Sequence, residues 1–409
     1  MKKALLFIST SVLFFAGNAQ VMWQFNKDTV ITWNYQWGDE FNGTSVDETK
    51  WDYWYGWARS IFGNKEQQYY SDGKNHKVEN GTLKIVARKE SLTAKMVDWL
   101  PEKDSLKNGD KFYDFNLHHF DYTSGMIKSN IQFTYGFFEI RFKAPKDRGM
   151  WPAFWIYGGT PNEEIDIMEL KGERPNQIHV DTHCADECDF FKTWYGKKLN
   201  WGGWTKLNGN LNDGYNVVAG EWQPDGVKYY VNGNCVAVSK VKFSVKKALV
   251  ANLALPSNDG PFHPGPAKTF TESEPFEIDY IRVWNLPDMK AKNGEGLNRV
   301  TTAVSNLPVQ KTKLKKKDKY LYGKKEDHLK DGITVSLFPA ADKNYVLYIL
   351  GMKALDEVGV EVKGEDGRKL FEEKYKEFQN KLDFTALPKG KFMLTVSYGG
   401  KKAETRVEL

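Results

Sequence analysis

Apolar and polar residues alternate in short runs along most of this chain, and no long helical period interrupts them. Gly81-Thr82-Leu83-Lys84-Ile85-Val86-Ala87 alternates directly after an Asn80-Gly81 turn, and Gly125-Met126-Ile127-Lys128 and Phe137-Phe138-Glu139-Ile140-Arg141-Phe142 follow in kind. Gly226-Val227-Lys228-Tyr229-Tyr230-Val231 and Cys235-Val236-Ala237-Val238 flank Asn232-Gly233, a dipeptide favoured in tight hairpins. A period of two sends successive side chains to opposite faces, so each run predicts a strand with one buried side. Many short strands joined by Gly- and Asn-rich turns predict an all-β chain, a sandwich or jelly roll.

The character shifts at both ends. Met1-Lys2-Lys3 precedes an apolar run from Ala4 to Phe15 and the small residues Gly17-Asn18-Ala19, the pattern of a signal peptide cleaved after Ala19. That run is too short to span a bilayer, and no other segment has the length. From about Leu286 to Lys330 the chain is polar and lysine-heavy, densest at Lys311-Thr312-Lys313-Leu314-Lys315-Lys316-Lys317. It reads as a solvated linker, with binding to an acidic surface or anionic polysaccharide as the alternative. Alternation returns in Ile333-Thr334-Val335-Ser336-Leu337, Val358-Gly359-Val360-Glu361-Val362 and Phe392-Met393-Leu394-Thr395-Val396, predicting a small immunoglobulin-like β-sandwich. The expected organisation is a signal peptide at 1–19, a main β-domain at 20–287, a linker at 288–330 and a small β-domain at 331–409. The protein is expected to be exported, to the periplasm, the cell surface or beyond.

One strand breaks the ordinary pattern. In Glu164-Ile165-Asp166-Ile167-Met168-Glu169 the first two acids share a face, whereas Glu169, five positions from Glu164, falls on the other. One extra residue in a β-bulge, with Met168 as the candidate, returns Glu169 to the shared face. Ile165, Ile167 and Met168 then face the core. An acidic solvent-facing edge strand is the alternative reading. Trp151 and Trp155, four apart in Gly149-Met150-Trp151-Pro152-Ala153-Phe154-Trp155, also share a face just upstream. Core packing explains any one tryptophan, but rigid aromatics beside clustered acids suit a cleft that binds sugar rings. Paired carboxyl groups about 5–5.5 Å apart are what a retaining glycosidase uses, one as nucleophile and one as acid/base.

Composition narrows the field. The 409 residues include 14 Trp, 20 Tyr and 25 Phe, an aromatic content that favours β structure. The formal net charge of +5 is modest for this length and implies neither a nucleic-acid nor a membrane partner. The cysteines are Cys184, Cys188 and Cys235. Cys184 and Cys188 could close a loop disulfide in an oxidising compartment or remain thiols, and their spacing does not match paired zinc ligands.

Beyond the acidic strand, four segments carry a family likeness: Trp37-Gly38-Asp39-Glu40-Phe41-Asn42-Gly43, Asn64-Lys65-Glu66-Gln67-Gln68-Tyr69-Tyr70, Tyr135-Gly136-Phe137-Phe138-Glu139-Ile140-Arg141 and Asp279-Tyr280-Ile281-Arg282-Val283-Trp284. In this order, from about Trp33 to Trp284, the chain resembles glycoside hydrolase family 16, in the branch whose motif carries the bulge. The resemblance implies a jelly roll with a concave substrate groove. It implies Glu164 as nucleophile, Asp166 as the assisting acid and Glu169 as general acid/base. It also places Trp151, Trp155, His183, Asn64 and Glu66 along the substrate cleft. No cofactor is implied for catalysis. A structural calcium is implied at Glu40, the Gly81 carbonyl and Asp279, oxygen ligands that suit that ion. Residues from Gly367 to the end are similar to C-terminal sorting domains of Bacteroidetes, with Phe338-Pro339-Ala340-Ala341 departing from the pattern. Outer-membrane secretion machinery is the partner this suggests, with glycan binding or a spacer role as alternatives.

The expectation is a monomeric, secreted, retaining endo-glycosidase acting on a β-linked polysaccharide, with no nucleic-acid partner. Glu66-Gln67-Gln68-Tyr69-Tyr70 and the Trp151–Trp155 segment resemble laminarinase-like members, favouring β-1,3-glucan or mixed-linkage β-glucan. The loop Tyr157-Gly158-Gly159-Thr160-Pro161-Asn162-Glu163 is shorter than is usual in those members. The alternatives are an agarase- or porphyranase-type galactan hydrolase, a transglycosylase, and a glycan-binding protein without turnover.

Overall fold

The computed structural model describes residues 20–26, 29–102, 116–159, 163–184, 201–286, 332–340, 343–351 and 356–409. The expected signal peptide and linker, Cys188 and the side chain of Cys184 lie outside the described residues. Apart from one 3₁₀ turn at Phe62–Asn64, the regular structure described is strand. Among the described residues no helix is long and apolar enough to cross a membrane.

The strands run in chain order as follows. The first nine are β1 (Val21–Phe25), β2 (Val30–Asp39), β3 (Trp51–Asp52), β4 (Gln68–Tyr70), β5 (His76–Glu79), β6 (Thr82–Ile85), β7 (Leu92–Lys95), β8 (Leu117–Phe120) and β9 (Tyr122–Ser124). Next come β10 (Met126–Phe133), β11 (Gly136–Lys143), β12 (Trp151–Gly158), β13 (Glu163–Glu169), β14 (Gln177–Cys184) and β15 (Trp201–Lys206). Then follow β16 (Asn216–Gln223), β17 (Gly226–Val231), β18 (Asn234–Ser239), β19 (Lys247–Ala254) and β20 (Phe276–Asn285). The last seven are β21 (Ile333–Pro339), β22 (Tyr345–Leu350), β23 (Val358–Lys363), β24 (Lys369–Tyr375), β25 (Gln379–Leu382), β26 (Lys391–Tyr398) and β27 (Lys401–Glu408).

The chain divides into two compact units. The larger takes in the described residues between Gln24 and Ile333, and the smaller joins those from Thr334 to Leu409 with residues 20–23. The main domain was expected to begin at residue 20, but residues 20–23 go with the C-terminal unit. There β1 opens the strand order β1-β21-β22-β25, beside a second sheet β24-β23-β26-β27. All five β1 residues are buried, so this strand belongs to a packed sheet and is not a loose leader.

The larger unit is a two-layer sandwich of jelly-roll type. One sheet, which carries the acidic strand, has the order β15-β14-β13-β12-β19-β10-β3. The facing sheet runs β18-β17-β16-β11-β20-β2, with β6 on β20 and β5 on β6. Phe138, Ile140 and Phe142 of β11, Val218 and Trp222 of β16, and Ile278 of β20 meet Phe154 and Ile156 of β12, Ile165, Ile167 and Met168 of β13, and Leu249, Ala251 and Leu253 of β19 in one core. The odd–even alternation of β12 and β19 leaves Ala153, Trp155 and Val250 for the other face, where they form a separate cluster with Tyr55, Tyr70 and Met126. That second face carries the site.

Candidate active site

The bulge exists, and the ladders locate it. Against β12, Trp155 pairs with Asp166 but Phe154 pairs with Met168, so Ile167 is the residue skipped. Against β14, the register likewise slips between Asp166 and Glu169. The expected extra residue was Met168; by pairing it is Ile167, and both side chains are buried in the core. Two consecutive residues pointing inward is what returns Glu169 to the face of Glu164 and Asp166. The facing sheet makes room for the extra side chain. Gly220 of β16 lies under it, and a Cβ there would come within 2.8 Å of Ile167 Cγ1.

Strand β14 supplies the partners. Glu164 lies opposite His183, Asp166 opposite Asp181, and Glu169 opposite His179. His183 Nε2 is 3.1 Å from Asp166 Oδ2 and 3.6 Å from Asp181 Oδ2. His179 Nδ1 is 2.7 Å from Glu169 Oε2, and its Nε2 is 3.9 Å from Asp181 Oδ2. Glu164, Asp166 and His183 bring their polar atoms within 4.8 Å of one another. Trp151 Nε1 donates to Glu169 Oε1 at 3.2 Å, and its ring stacks on Phe262 with centroids 4.0 Å apart. Trp155 Nε1 donates to Asn252 Oδ1 at 2.7 Å, and Asn252 Nδ2 donates to the Tyr70 hydroxyl at 2.9 Å. Both tryptophans therefore stand on the acid face, each fixed by a polar handle.

Electrostatics follow from crowding. Burial first, then the charge of Asp166, hold the Glu164 carboxyl well above its usual range. Burial and Asp166 raise Glu169 as well, with the His179 hydrogen bond acting against them. Burial alone would lower His183, but the carboxylates of Asp166, Asp181 and Glu164 push it to about 11, so at neutral pH it is a cation. These groups release protons as a coupled set. The charge of His183, in register with Glu164, opposes the rise there, as the His179 hydrogen bond does at Glu169.

The remaining sequence expectations divide. Glu66 is buried and accepts hydrogen bonds from Gln68 Nε2 at 2.6 Å and the Ile61 amide at 3.3 Å. Burial raises it to about 7. Its oxygens tie a loop together, while Asn64 beside it is exposed at the end of the 3₁₀ turn. His179, Asp181, Asn252 and Tyr55 were missed. His179-x-Asp181-x-His183 is a period-two signal, but only the pairing of β14 with β13 gives it meaning. Tyr55 lies 5.7 Å from the Trp155 ring and stacks on Trp57, extending the aromatic wall.

Two of the three residues expected to bind calcium, Glu40 and Asp279, are engaged by arginines. Glu40 takes Arg282 Nε and Nη2 on its two oxygens, each at 2.8 Å, and Asp279 Oδ2 takes Arg141. Glu139 lies across the ladder from Arg282. Calcium needs six to eight oxygens unopposed by nearby cations, and this arginine-lined set does not fit it. The motif segments carrying Glu40, Glu139, Arg141, Asp279 and Arg282 build an ion network in the facing sheet.

A jelly roll whose bulged strand sets three carboxylates and a histidine pair on an aromatic-lined face defines a glycoside hydrolase. Residues 63–252 match the family described as Glycosyl hydrolases family 16, and this domain is a member of it. The chain is 30% identical over 218 residues to glucan endo-1,3-beta-glucosidase A1 of Niallia circulans, covering 49% of this chain and 28% of that protein. It is 30% identical over 223 residues to a beta-glucanase of Rhodothermus marinus, covering 50% of this chain and 65% of that one. Each match spans less than two thirds of the relative's length. The X-ray structure of an endo-beta-1,3-glucanase from Pyrococcus furiosus superposes with a TM-score of 0.51 at 28% identity, covering 64% of this chain and 97% of that one.

Proposed function

We propose that the chain is an exported retaining endo-β-glucanase cutting β-1,3-glucan or mixed-linkage β-glucan. The observation that carries the reaction is the bulge, which sets Glu164, Asp166 and Glu169 on one face. Glu164 attacks the anomeric carbon while Glu169 gives its proton to the glycosidic oxygen; the carbon–oxygen bond breaks and the shortened glycan leaves. Glu169, now a carboxylate, takes a proton from water as the water oxygen attacks the same carbon and the ester to Glu164 opens. His183 Nε2 contacts Asp166 at 3.1 Å and fixes it between the two glutamates. The names of the glucan-cleaving relatives support the substrate, and the residue pattern of 1–19 supports export.

The test uses the full chain, because residues 20–23 pack with the C-terminal unit. Laminarin, barley-type mixed-linkage glucan and agarose are each digested, with Glu164→Gln as control, and the products sized. Oligosaccharides from a glucan that the variant does not release support the reading. Products from agarose alone overturn the substrate, and redistributed chain lengths indicate transglycosylation. A β-configured first-formed product is expected; inversion would end the double-displacement mechanism.

A further inference from the structure

One cleft carboxylate takes no part in that double displacement. Asp181, midway along β14, points its Oδ2 between the two imidazoles, 3.6 Å from His183 Nε2 and 3.9 Å from His179 Nε2. Its Oδ1 accepts the Thr182 amide at 2.7 Å. The residue opposite on β15 is Gly202, where a Cβ would come within 2.6 Å of the Asp181 carboxyl carbon. The missing side chain is the space the carboxylate occupies. From the far sheet, the Tyr229 hydroxyl crosses the core and donates to the Asp181 carbonyl at 2.9 Å. Asp181 is thus a fixed, buried group with its own niche.

The imidazoles it holds are those that hold the reacting acids. His179 meets Glu169 at 2.7 Å and His183 meets Asp166 at 3.1 Å. A continuous line of polar contacts therefore runs Glu169, His179, Asp181, His183, Asp166. Among the described residues, the charged groups facing Asp181 are His179 and His183 on its own strand and Asp166 and Glu169 on β13, with Glu164 beyond His183; β15 presents Gly202 and β17 the Tyr229 hydroxyl.

We propose that Asp181 is a positioning residue that orients both histidines and, through its negative charge, helps keep one proton on the Glu169–His179 pair. The proposal rests on the retaining reading above. The sign follows from the charge count. With Asp181 ionised the cluster carries one more negative charge, so its shared protons leave at higher pH. Removing that charge lets the acid's proton leave earlier, and activity falls off at lower pH. Burial itself holds Asp181 up to about 7, so its charge develops near the pH at which the acid must stay protonated.

The test compares full-length wild type with Asp181→Asn, similar in shape but uncharged. The alkaline limb of kcat/KM is expected to move down by about one pH unit. The imidazole NMR signals of His179 and His183, read without substrate, should titrate lower by a similar amount. Asp181→Ser serves where the asparagine variant does not fold. A drop in kcat at every pH, with the limb and both histidine titrations unmoved, would show a packing role and overturn the proposal. If the wild type cleaves no glycan, the hydrolase reading fails, and the histidine titrations still decide for or against Asp181.

Discussion

Two of the charge clusters in the larger unit are built on opposite principles. In the facing sheet each acid meets an arginine: Glu40 takes Arg282 on both oxygens, Asp279 takes Arg141, and Glu139 stands across from Arg282. On the sheet with the bulged strand, Glu164, Asp166, Glu169 and Asp181 share two histidines. Arginines compensate most of the first cluster, and burial raises Glu139 within it. Under-compensation leaves the second with carboxyls pushed upward by burial and by one another. Both are rich in acids, and only the unbalanced one is suited to chemistry.

The largest effect that would sharpen this contrast is on turnover. Glu164→Gln should cut kcat by on the order of 10⁴-fold, as loss of a nucleophile does elsewhere, with no loss of melting temperature. The pH dependence of stability has the matching sign. Asp181 and Glu66 have folded values of about 7, above their unfolded 3.8 and 4.5. The folded state thus binds more protons between about pH 4 and 7, and stability falls as pH rises through that window. His183, raised from 6.5 to about 11, contributes stability that is full below 6.5 and is lost as pH climbs toward 11. Thermal melts from pH 4 to 9 should therefore show a decline; a flat or rising curve would mean the acids are better compensated than their geometry indicates.

The mirror experiment is on the other cluster. Arg282→Met should cost about 3–5 kcal/mol of stability, because it strands Glu139 and Glu40 without their cation. Arg282 is 1% exposed and its guanidinium lies 3.5 Å from the Tyr280 ring centre, so little water can substitute. Denaturant melts measure the loss, and kcat per folded molecule should be unchanged. A selective loss of kcat would dissolve the distinction between the two clusters.

How far the sequence reveals this distinction depends on the range of the contacts. Parity along a single strand was enough to align Glu164 and Asp166 and to require a bulge before Glu169. The face shared by Trp151 and Trp155 was legible for the same reason. His179 and Asp181 were not, since their meaning depends on β14 lying beside β13 in one register. Glu40 and Asp279 are undecided by sequence, because an acid in a motif looks the same whether a metal or an arginine lies opposite. Nothing local in Val21–Phe25 says that it pairs with β21.

Packing links the two sheets through one glycine, which gives a smaller but pointed test. Gly220→Ala would place a methyl 2.8 Å from Ile167 Cγ1. Pushing the bulge should cost about 1–3 kcal/mol and shift the acids relative to one another, lowering kcat by up to about 10²-fold. Pairing it with Ile167→Val, which removes one methyl from the crowded spot, should recover part of the activity. Equal activity in Gly220→Ala and wild type would mean that the bulge is held by β12 and β14 and needs no space from β16.

The smallest expected effect is none. If arginines fully compensate the facing sheet, calcium has nothing to add at Glu40, Gly81 and Asp279. Melting temperature should then be the same in EDTA and in millimolar calcium. A cation entering there would have to displace Arg282 from both oxygens of Glu40 and Arg141 from Asp279, leaving two guanidinium groups beside a divalent ion. Arg282, almost wholly buried, has no solvent to retreat into, so the exchange would replace one satisfied cation with two competing ones. A calcium-dependent rise in melting temperature, abolished by Glu40→Gln, would show that the arginines do swing away. The facing cluster would then be a metal site, and the difference between the two sheets would be one of ligand rather than of charge balance.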